Sequence, residues 1–248
     1  MQILLTIAYD GTDYAGWQRQ NNAVAVQQVL EETLSGVLQR EIRLRAASRT
    51  DAGVHALGQR AAFNGGGLRI PLEKLPEVIN NKLPNDISVT GCQSVPEDFN
   101  PRHAAHKTYR YQILNYPYPD PMLTRYAAFV PQSLDINAMK KAAPCFMGRH
   151  DFLAFSASGG NGTDLNHNTV REIYNCQVTR DGGLITLTVT GNGFLYNMVR
   201  IIAGTVLYAG LKKIKPGDIP GIIRSRERGL AGKTMGPEGL TLMEVIYT

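Results

Sequence analysis

The order in which strand and helix patterns follow one another constrains this chain most, because the same order occurs twice. QILLTIAY (2–9) reads as a strand and is stopped by the turn pair Asp10-Gly11. A helix pattern follows, with Val26, Val29, Leu30, Thr33, Leu34, Val37 and Leu38 at helical spacing and Gln27, Glu31, Glu32 and Gln39 left for a polar face. Ile42, Leu44 and Ala46 alternate with arginines in IRLRAA (42–47), and GQRAAFN (58–64) gives a further strand. PLEKLPEVINNKL (71–83) predicts a second helix with Pro71 in its first turn and a distortion at Pro76, and DISVTGCQSV (86–95) returns as a strand. The first hundred residues therefore predict β-α-β-β-α-β, the ferredoxin-like unit.

The remainder repeats that order with longer insertions. KTYRYQILN (107–115) predicts a strand and DINAMKKAAPCFM (135–147) a helix, and REIYNCQVTR and LITLTVTG predict paired strands across the turn at 181–183. GFLYNMVRIIAGTVLYAG (193–210) and PGDIPGIIRSRE (216–227) predict helices, and LTLMEVIYT closes as a strand. The fold class expected is α/β in the α+β sense. Two ferredoxin-like halves, 1–103 and 104–248, form one long, mainly antiparallel sheet with helices on one face and a central cleft.

Composition narrows the partner rather than the fold. The chain has 26 Lys and Arg against 21 Asp and Glu, a formal charge of +5. Its basic groups gather in HAAHKTYRYQ (103–112), LKKIK (211–215) and RSRER (224–228), the first interleaved with aromatics, as phosphate contacts with base stacking require. No apolar run reaches membrane-spanning length and the start lacks signal-peptide features, so a cytoplasmic protein without membrane contact is expected. The cysteines, Cys92, Cys145 and Cys176, show no CxxC or histidine pattern, so no metal site is expected and they read as buried free thiols.

Chemistry concentrates in SRTDAGVHALGQ (48–59), a shaped loop between the two middle strands of the first half that carries the carboxylate of Asp51. Turn chemistry alone accounts for an Asp-x-Gly sequence. A second anomaly strengthens the functional reading: Arg200 is the only charge in YNMVRIIAG, flanked by Met198, Val199, Ile201 and Ile202. A guanidinium so placed needs an acid and hydrogen bonds, and Asp51 is the candidate if the two meet at the cleft; the alternative is that Arg200 reaches solvent along its stem. In KTYRYQIL, Lys107, Tyr109, Tyr111 and Ile113 fall on one face and Thr108, Arg110 and Gln112 on the other, which suits a flat base beside cations as well as it suits a core.

These residues resemble the tRNA pseudouridine synthase A (TruA) family, whose GRTDAGVHA motif is matched by SRTDAGVHA at 48–56. The resemblance extends, in family order, through YDGTDYAGWQRQ (9–20), VQQVLEETL (26–34), LPNDISV (83–89), DFNPRHAAHKTYRY (98–111), HDFLAFSASG (150–159), GNGFLYNMVRIIAG (191–204) and GPEGLTLMEV (236–245). It implies a two-domain fold without cofactor or metal, active as a homodimer, that isomerises uridines at positions 38–40 in the anticodon stem-loop of tRNA. It places the catalytic aspartate on Asp51 and the substrate-binding roles on Tyr109, Arg49 and Arg200. Lys107, Arg110, Lys212, Lys213 and Arg226 are the RNA-binding candidates, and His55 reads as a scaffold group. Ser48 departs from the family's glycine, and SASGGNGTDLNHNTVREI (156–173) is Gly/Asn-rich where a basic insertion is expected.

Three rival readings stand against this one. A non-catalytic RNA-binding module shares the ferredoxin-like units and basic aromatic strand, but does not need an intact RTDAG loop. A carboxylate glycosidase needs a second acid across the scissile bond, and Asp10, Asp13 and Asp151 read as turn or cap residues. A pseudouridine synthase acting on another RNA is disfavoured by the extent of the match.

Overall fold

A computed structural model of the protein describes residues 1–157 and 168–247. The chain divides into two compact units, Met1–Ala105 with the C-terminal residues from Thr241, and His106–Leu240. The closing strand, expected with the second half, thus groups with the first. The Gly/Asn-rich stretch is described only at its margins, since 158–167 lie outside the described residues.

The first unit holds strands β1 (Gln2–Tyr9), β2 (Arg45–Ala46), β3 (His55–Asn64) and β4 (Ile87–Val95) and helices α1 (Val26–Leu38) and α2 (Leu75–Asn80). β1 lies between β4 and β3, antiparallel to both. The far edge of β3 is shared: β2 pairs antiparallel at Ala61 and Ala62, and the closing strand Leu240–Ile246 pairs in parallel at His55 and Ala56. Gly58 permits that second pairing, because a Cβ there would lie 2.4 Å from the Met243 carbonyl oxygen. Ile3, Leu4, Leu5 and Ile7 are fully buried, so β1 is covered on both faces at its start; Leu4 packs with Ala62 and Val95 beneath Phe99 and Tyr247. Each such side chain contributes about 1.5–3 kcal/mol of transfer free energy.

Two sequence expectations change here for physical reasons. The 71–83 helix is shorter: a 3-10 turn at Leu72–Lys74 precedes α2, and the chain restarts so that Pro76 falls in the first helical turn, where its missing N–H costs nothing. Gln27 and Glu31, assigned to the solvent face of α1, are buried. The Glu31 carboxylate accepts from the Leu44 N–H and the Gln27 amide, both at 2.9 Å, and Arg19 and Arg43 approach it at 3.4 Å. Helix periodicity cannot show this, because Leu44, Arg19 and Arg43 come from segments on either side of the helix in sequence.

The second unit holds β5 (His106–Leu114), β6 (Ala128–Phe129), α3 (Ile136–Ala142), β7 (Gly148–Asp151), β8 (Val170–Asp181), β9 (Leu184–Gly191), α4 (Met198–Gly210) and α5 (Ile219–Ser225). Its sheet runs β5-β9-β8-β7 with antiparallel neighbours, and β6 pairs with β5 in parallel. Tyr109, Tyr111 and Ile113 face Val189, Leu187 and Ile185 across the β5–β9 ladder on the buried side, while Thr108, Arg110 and Gln112 face Thr190, Thr188 and Thr186. α3 ends at Ala142 and passes into a 3-10 turn containing Pro144, whose ring is incompatible with a continued α-helix. α4 starts at Met198, later than the apolar run at 193–210 predicts, because Asn197 adopts φ 59°. Cys176 is buried and Cys92 and Cys145 are half-buried, all as free thiols; burial pushes the Cys176 thiol far above its ordinary range.

Replacing Glu31 by alanine should lower stability by about 2 kcal/mol, since the buried Leu44 N–H and Gln27 amide both lose an acceptor. Urea unfolding monitored by circular dichroism measures it.

Candidate active site

Asp51 lies in the loop 47–54 between β2 and β3, and a second loop, 10–17, braces it from behind. Trp17 N–H donates to the Thr50 carbonyl at 3.0 Å, Gly53 N–H donates to the Tyr14 carbonyl at 3.3 Å, and the Tyr9 and Thr50 hydroxyls are hydrogen-bonded at 2.8 Å. Glycine allows the approach. At Gly16, where φ is +87°, an added Cβ would lie 2.5 Å from the Thr50 carbonyl oxygen and 3.0 Å from the Asp51 carbonyl carbon; at Gly11 it would lie 2.0 Å from the Val54 carbonyl oxygen. Within the active loop, Val54 N–H donates to the Asp51 carbonyl at 3.1 Å and Gly53 takes φ 77°, so DAG closes as a tight turn.

The bracing loop is itself fixed by α1. That helix has no side-chain N-cap, and the carbonyls of Gly16 and Trp17 instead accept from the N–H groups of Val26 and Gln27, at 3.1 and 3.0 Å. Tyr14 donates to Asp86 at 2.8 Å; burial and then the Asp86 carboxylate push its phenol far above the ordinary range, so it remains a donor.

The result is a loop whose side chains differ sharply in exposure: Arg49 is exposed, Thr50 is buried and Asp51 is half-buried. Ser48, the departure from the family motif, gives its carbonyl to the Gln59 amide at 2.8 Å, a bond that glycine would also make. His55 is buried at the start of β3, with Gly11 N–H at 3.0 Å and the Asp10 carboxylate at 3.1 Å from the same Nδ1. That nitrogen accepts from Gly11 when it bears no proton or donates to Asp10 when it bears one, and it cannot do both at once. Either bond ties the loops together, which makes His55 a scaffold group.

The remaining sequence candidates lie in the second unit. Tyr109 is only 5% exposed, its ring edge-on to Phe194 at 5.1 Å between centroids. Tyr111 donates to the Gly236 carbonyl at 2.8 Å, and burial holds its phenol far above the ordinary range. Lys107 and Arg110 are half-buried on β5, and Arg110 Nε is buried without a hydrogen-bond partner among the described residues.

Arg200 stands in the first turn of α4, half-buried, donating through Nε to the Met235 carbonyl at 2.7 Å and through Nη1 to Asn197 Oδ1 at 2.6 Å. The segment that holds it is locked on the helix: Met235 N–H returns to the Arg200 carbonyl at 3.2 Å, Gly232 N–H donates to Thr205 Oγ1 at 2.9 Å, and a Cβ at Gly204 would lie 1.8 Å from the Lys233 carbonyl oxygen. Arg228 supports the same segment, donating to the Gly232 carbonyl and the Thr234 hydroxyl. Lys212 and Lys213 are exposed, Lys213 over the Tyr208 ring at 5.1 Å. Arg226 is engaged by Asp151 at 3.0 Å, a partner that its place in a run of charges did not disclose.

The structure thus brings Arg49, Asp51 and His55 together in one unit and places Tyr109, Arg110 and Arg200 in the other. Residue-level reasoning missed the bracing set Tyr9, Gly11, Gly16 and Trp17. The signal was available in the density of Gly and aromatic residues in YDGTDYAGW, which marks close backbone approach. Among the described residues no group of three or more His, Cys, Asp or Glu side chains is placed to hold a metal ion, and no helix is long and apolar enough to cross a membrane.

Gly16→Ala should be costly twice over, through the left-handed backbone, about 1–2 kcal/mol, and through its push on the Thr50–Asp51 peptide. Turnover is expected to fall at temperatures where circular dichroism still reports a folded protein.

Comparison with known proteins identifies the family. The sequence model of one family, described as tRNA pseudouridine synthase, matches residues 5–103 and 142–248. Proteins called tRNA pseudouridine synthase A from Caldicellulosiruptor saccharolyticus and Ruminiclostridium cellulolyticum are 45% and 46% identical, each over 99% of both chains. One from Thermoanaerobacter sp. is 44% identical, again over 99% of both. Among solved structures, a chain described as a Cbf5-Nop10-Gar1 complex aligns with TM-score 0.40 at 12% identity, over 97% of this chain and 48% of that one, a likeness too low to carry an argument. On the strength of the family match and the full-length relatives, this chain belongs to the tRNA pseudouridine synthase family.

Proposed function

We propose that the protein isomerises uridine to pseudouridine in tRNA, at positions 38–40 of the anticodon stem-loop, as a cytoplasmic homodimer that uses neither metal nor cofactor. The observation that carries this reading is the relation to proteins named tRNA pseudouridine synthase A over 99% of the chain, with the carboxylate loop intact. No competing reading is favoured by the site.

The reaction breaks the N1–C1′ bond, turns the base and joins C5 to C1′, with nothing added or lost. In this proposal Asp51 is the catalytic carboxylate, acting as a nucleophile or in deprotonation of the sugar, and both routes need it ionised. Arg200 keeps the substrate-binding role that the family resemblance gives it. The target base must leave its stack, at a cost of about a few kcal/mol. Arg49, exposed and without an ion pair among the described residues, is suited to the vacated space or to a phosphate. Tyr109 is the base-contacting residue, and at its low exposure a base stacks on its ring only if Phe194 swings aside. Lys107, Arg110, Lys212 and Lys213 are assigned to the RNA backbone, and Arg226 more weakly because Asp151 holds it.

Asp51→Asn is expected to reduce pseudouridine formation to background while leaving tRNA affinity largely unchanged, since amide replaces carboxylate at nearly constant shape. Turnover near that of the parent would overturn the assignment. Arg200→Met should lower turnover by about 100-fold with the fold retained, the scale of losing one charged contact to the reacting substrate. Mapping pseudouridine in tRNA from cells lacking the gene tests the positions directly: loss at 38–40 supports the proposal, and loss elsewhere refutes it.

RNA affinity should fall with salt, and neutral substitution of Lys212 or Lys213 should flatten the logarithmic slope by about one unit each. Arg226→Gln should change it less, because Asp151 already compensates that charge.

A further inference from the structure

The Tyr9–Thr50 hydrogen bond lies beside the peptide that leads into Asp51. The backbone on either side of the Thr50–Asp51 peptide is held, by the Trp17 N–H on the Thr50 carbonyl and by the Val54 N–H on the Asp51 carbonyl. Gly16 presses against the same peptide from behind. These contacts fix where the chain passes and the plane of that peptide, but rotation at the Thr50 Cα, outside the plane, would swing the Asp51 side chain.

A side-chain anchor on one residue of the pair removes it. Thr50 supplies the anchor: its hydroxyl bonds the Tyr9 hydroxyl at 2.8 Å, with Tyr9 4% and Thr50 8% exposed. Being β-branched, Thr50 has a stiff χ1, so fixing its hydroxyl also fixes the orientation of its backbone. Tyr9 is in turn rigid, at the end of β1, with its backbone opposite Ala56 of β3 and Ile87 of β4 and its ring against Trp17. The neighbours of Thr50 are turned the other way, Arg49 exposed and Asp51 half-buried. Drawing Thr50 inward therefore presents Asp51 outward.

We propose that Thr50, held by the Tyr9 hydroxyl, is a positioning residue that sets the direction of the Asp51 carboxylate for the isomerisation. The proposal rests on the reading of Asp51 as the catalytic carboxylate. Thr50 does not touch the substrate in this account, and its contribution is pre-organisation. A carboxylate aimed at a sugar or base carbon is productive only in a narrow range of positions, whereas tRNA is gripped by many contacts elsewhere. Loss of the anchor should therefore appear in kcat and not in KM.

The test compares Thr50→Val, which keeps the shape and removes the hydroxyl, with Thr50→Ser, which keeps the hydroxyl. Tyr9→Phe, the double variant Tyr9→Phe/Thr50→Val and Asp51→Asn complete the set, assayed on unmodified tRNA. Thr50→Val and Tyr9→Phe should each lower kcat by about 10- to 100-fold, the range expected from misplacing a reacting group by up to an ångström, with KM for tRNA within about twofold of the parent. The double variant should be no slower than the worse single one, because both remove the same bond. Thr50→Ser should recover most of the lost turnover. If Thr50→Val is poorly folded, Tyr9→Phe and Thr50→Ser carry the test on their own.

Parent-level kcat in Thr50→Val and Tyr9→Phe, beside an inactive Asp51→Asn, would refute the positioning role and leave the functional reading standing. A Thr50→Ser variant as slow as Thr50→Val, or kcat and KM worsening together with thermal stability, would refute it as well, showing that packing and not the hydroxyl is what matters. An active Asp51→Asn would instead remove the functional reading on which the proposal rests.

Discussion

The first unit depends on one close contact, the packing of the loop 10–17 against the peptide that joins Thr50 to Asp51. Two loops can approach at backbone distance only where no Cβ intervenes, and Gly11 and Gly16 provide those places. The approach would be unfavourable if it buried unpaired polar groups, so the loops satisfy one another, with Trp17 and Gly53 donating across the contact. The same loop supplies the carbonyls that complete the N-terminus of α1. Helix, bracing loop and active loop therefore form one cooperative body, and a change in any of them is transmitted to Asp51.

Charge is handled in the same way, by satisfying what is buried and leaving the rest to solvent or substrate. Glu31 is buried, yet its carboxylate accepts two hydrogen bonds and faces two arginines, so its oxygens are satisfied. In the second unit Arg228 braces the segment 232–234 and Arg226 is paired with Asp151, so part of the basic run 224–228 is structural. Arg49 is different: it is exposed and has no ion pair among the described residues that would compete with an RNA. The +5 charge thus overstates the cations available for RNA, and their placement says more than their number.

An isomerisation that exchanges one glycosidic bond for another makes modest demands on functional groups and severe ones on geometry. One ionised carboxylate, a cation to keep it so and a surface that holds the displaced base are sufficient in chemical terms. The rest of the structure around the carboxylate loop can then be devoted to position, which agrees with a loop braced on several sides.

The sequence by itself determined the strand and helix order, the loop that carries Asp51 and the anomaly of Arg200, because these follow from local periodicity, turn chemistry and the cost of a charge among apolar residues. The family relationship was legible too, since RTDAG and the stretches flanking it are long and specific. Tertiary structure alone decided that Gln27 and Glu31 of α1 are buried, that Asn197 delays α4, that Arg226 meets Asp151 and that Tyr9 anchors Thr50. It also grouped the closing strand with the first unit, against the repeat of elements. In most of these cases the deciding partner is distant along the chain. Hydrophobic pattern records which face a residue should take, but a hydrogen bond or ion pair between remote segments leaves no periodic trace, and only the folded chain brings the two groups within reach.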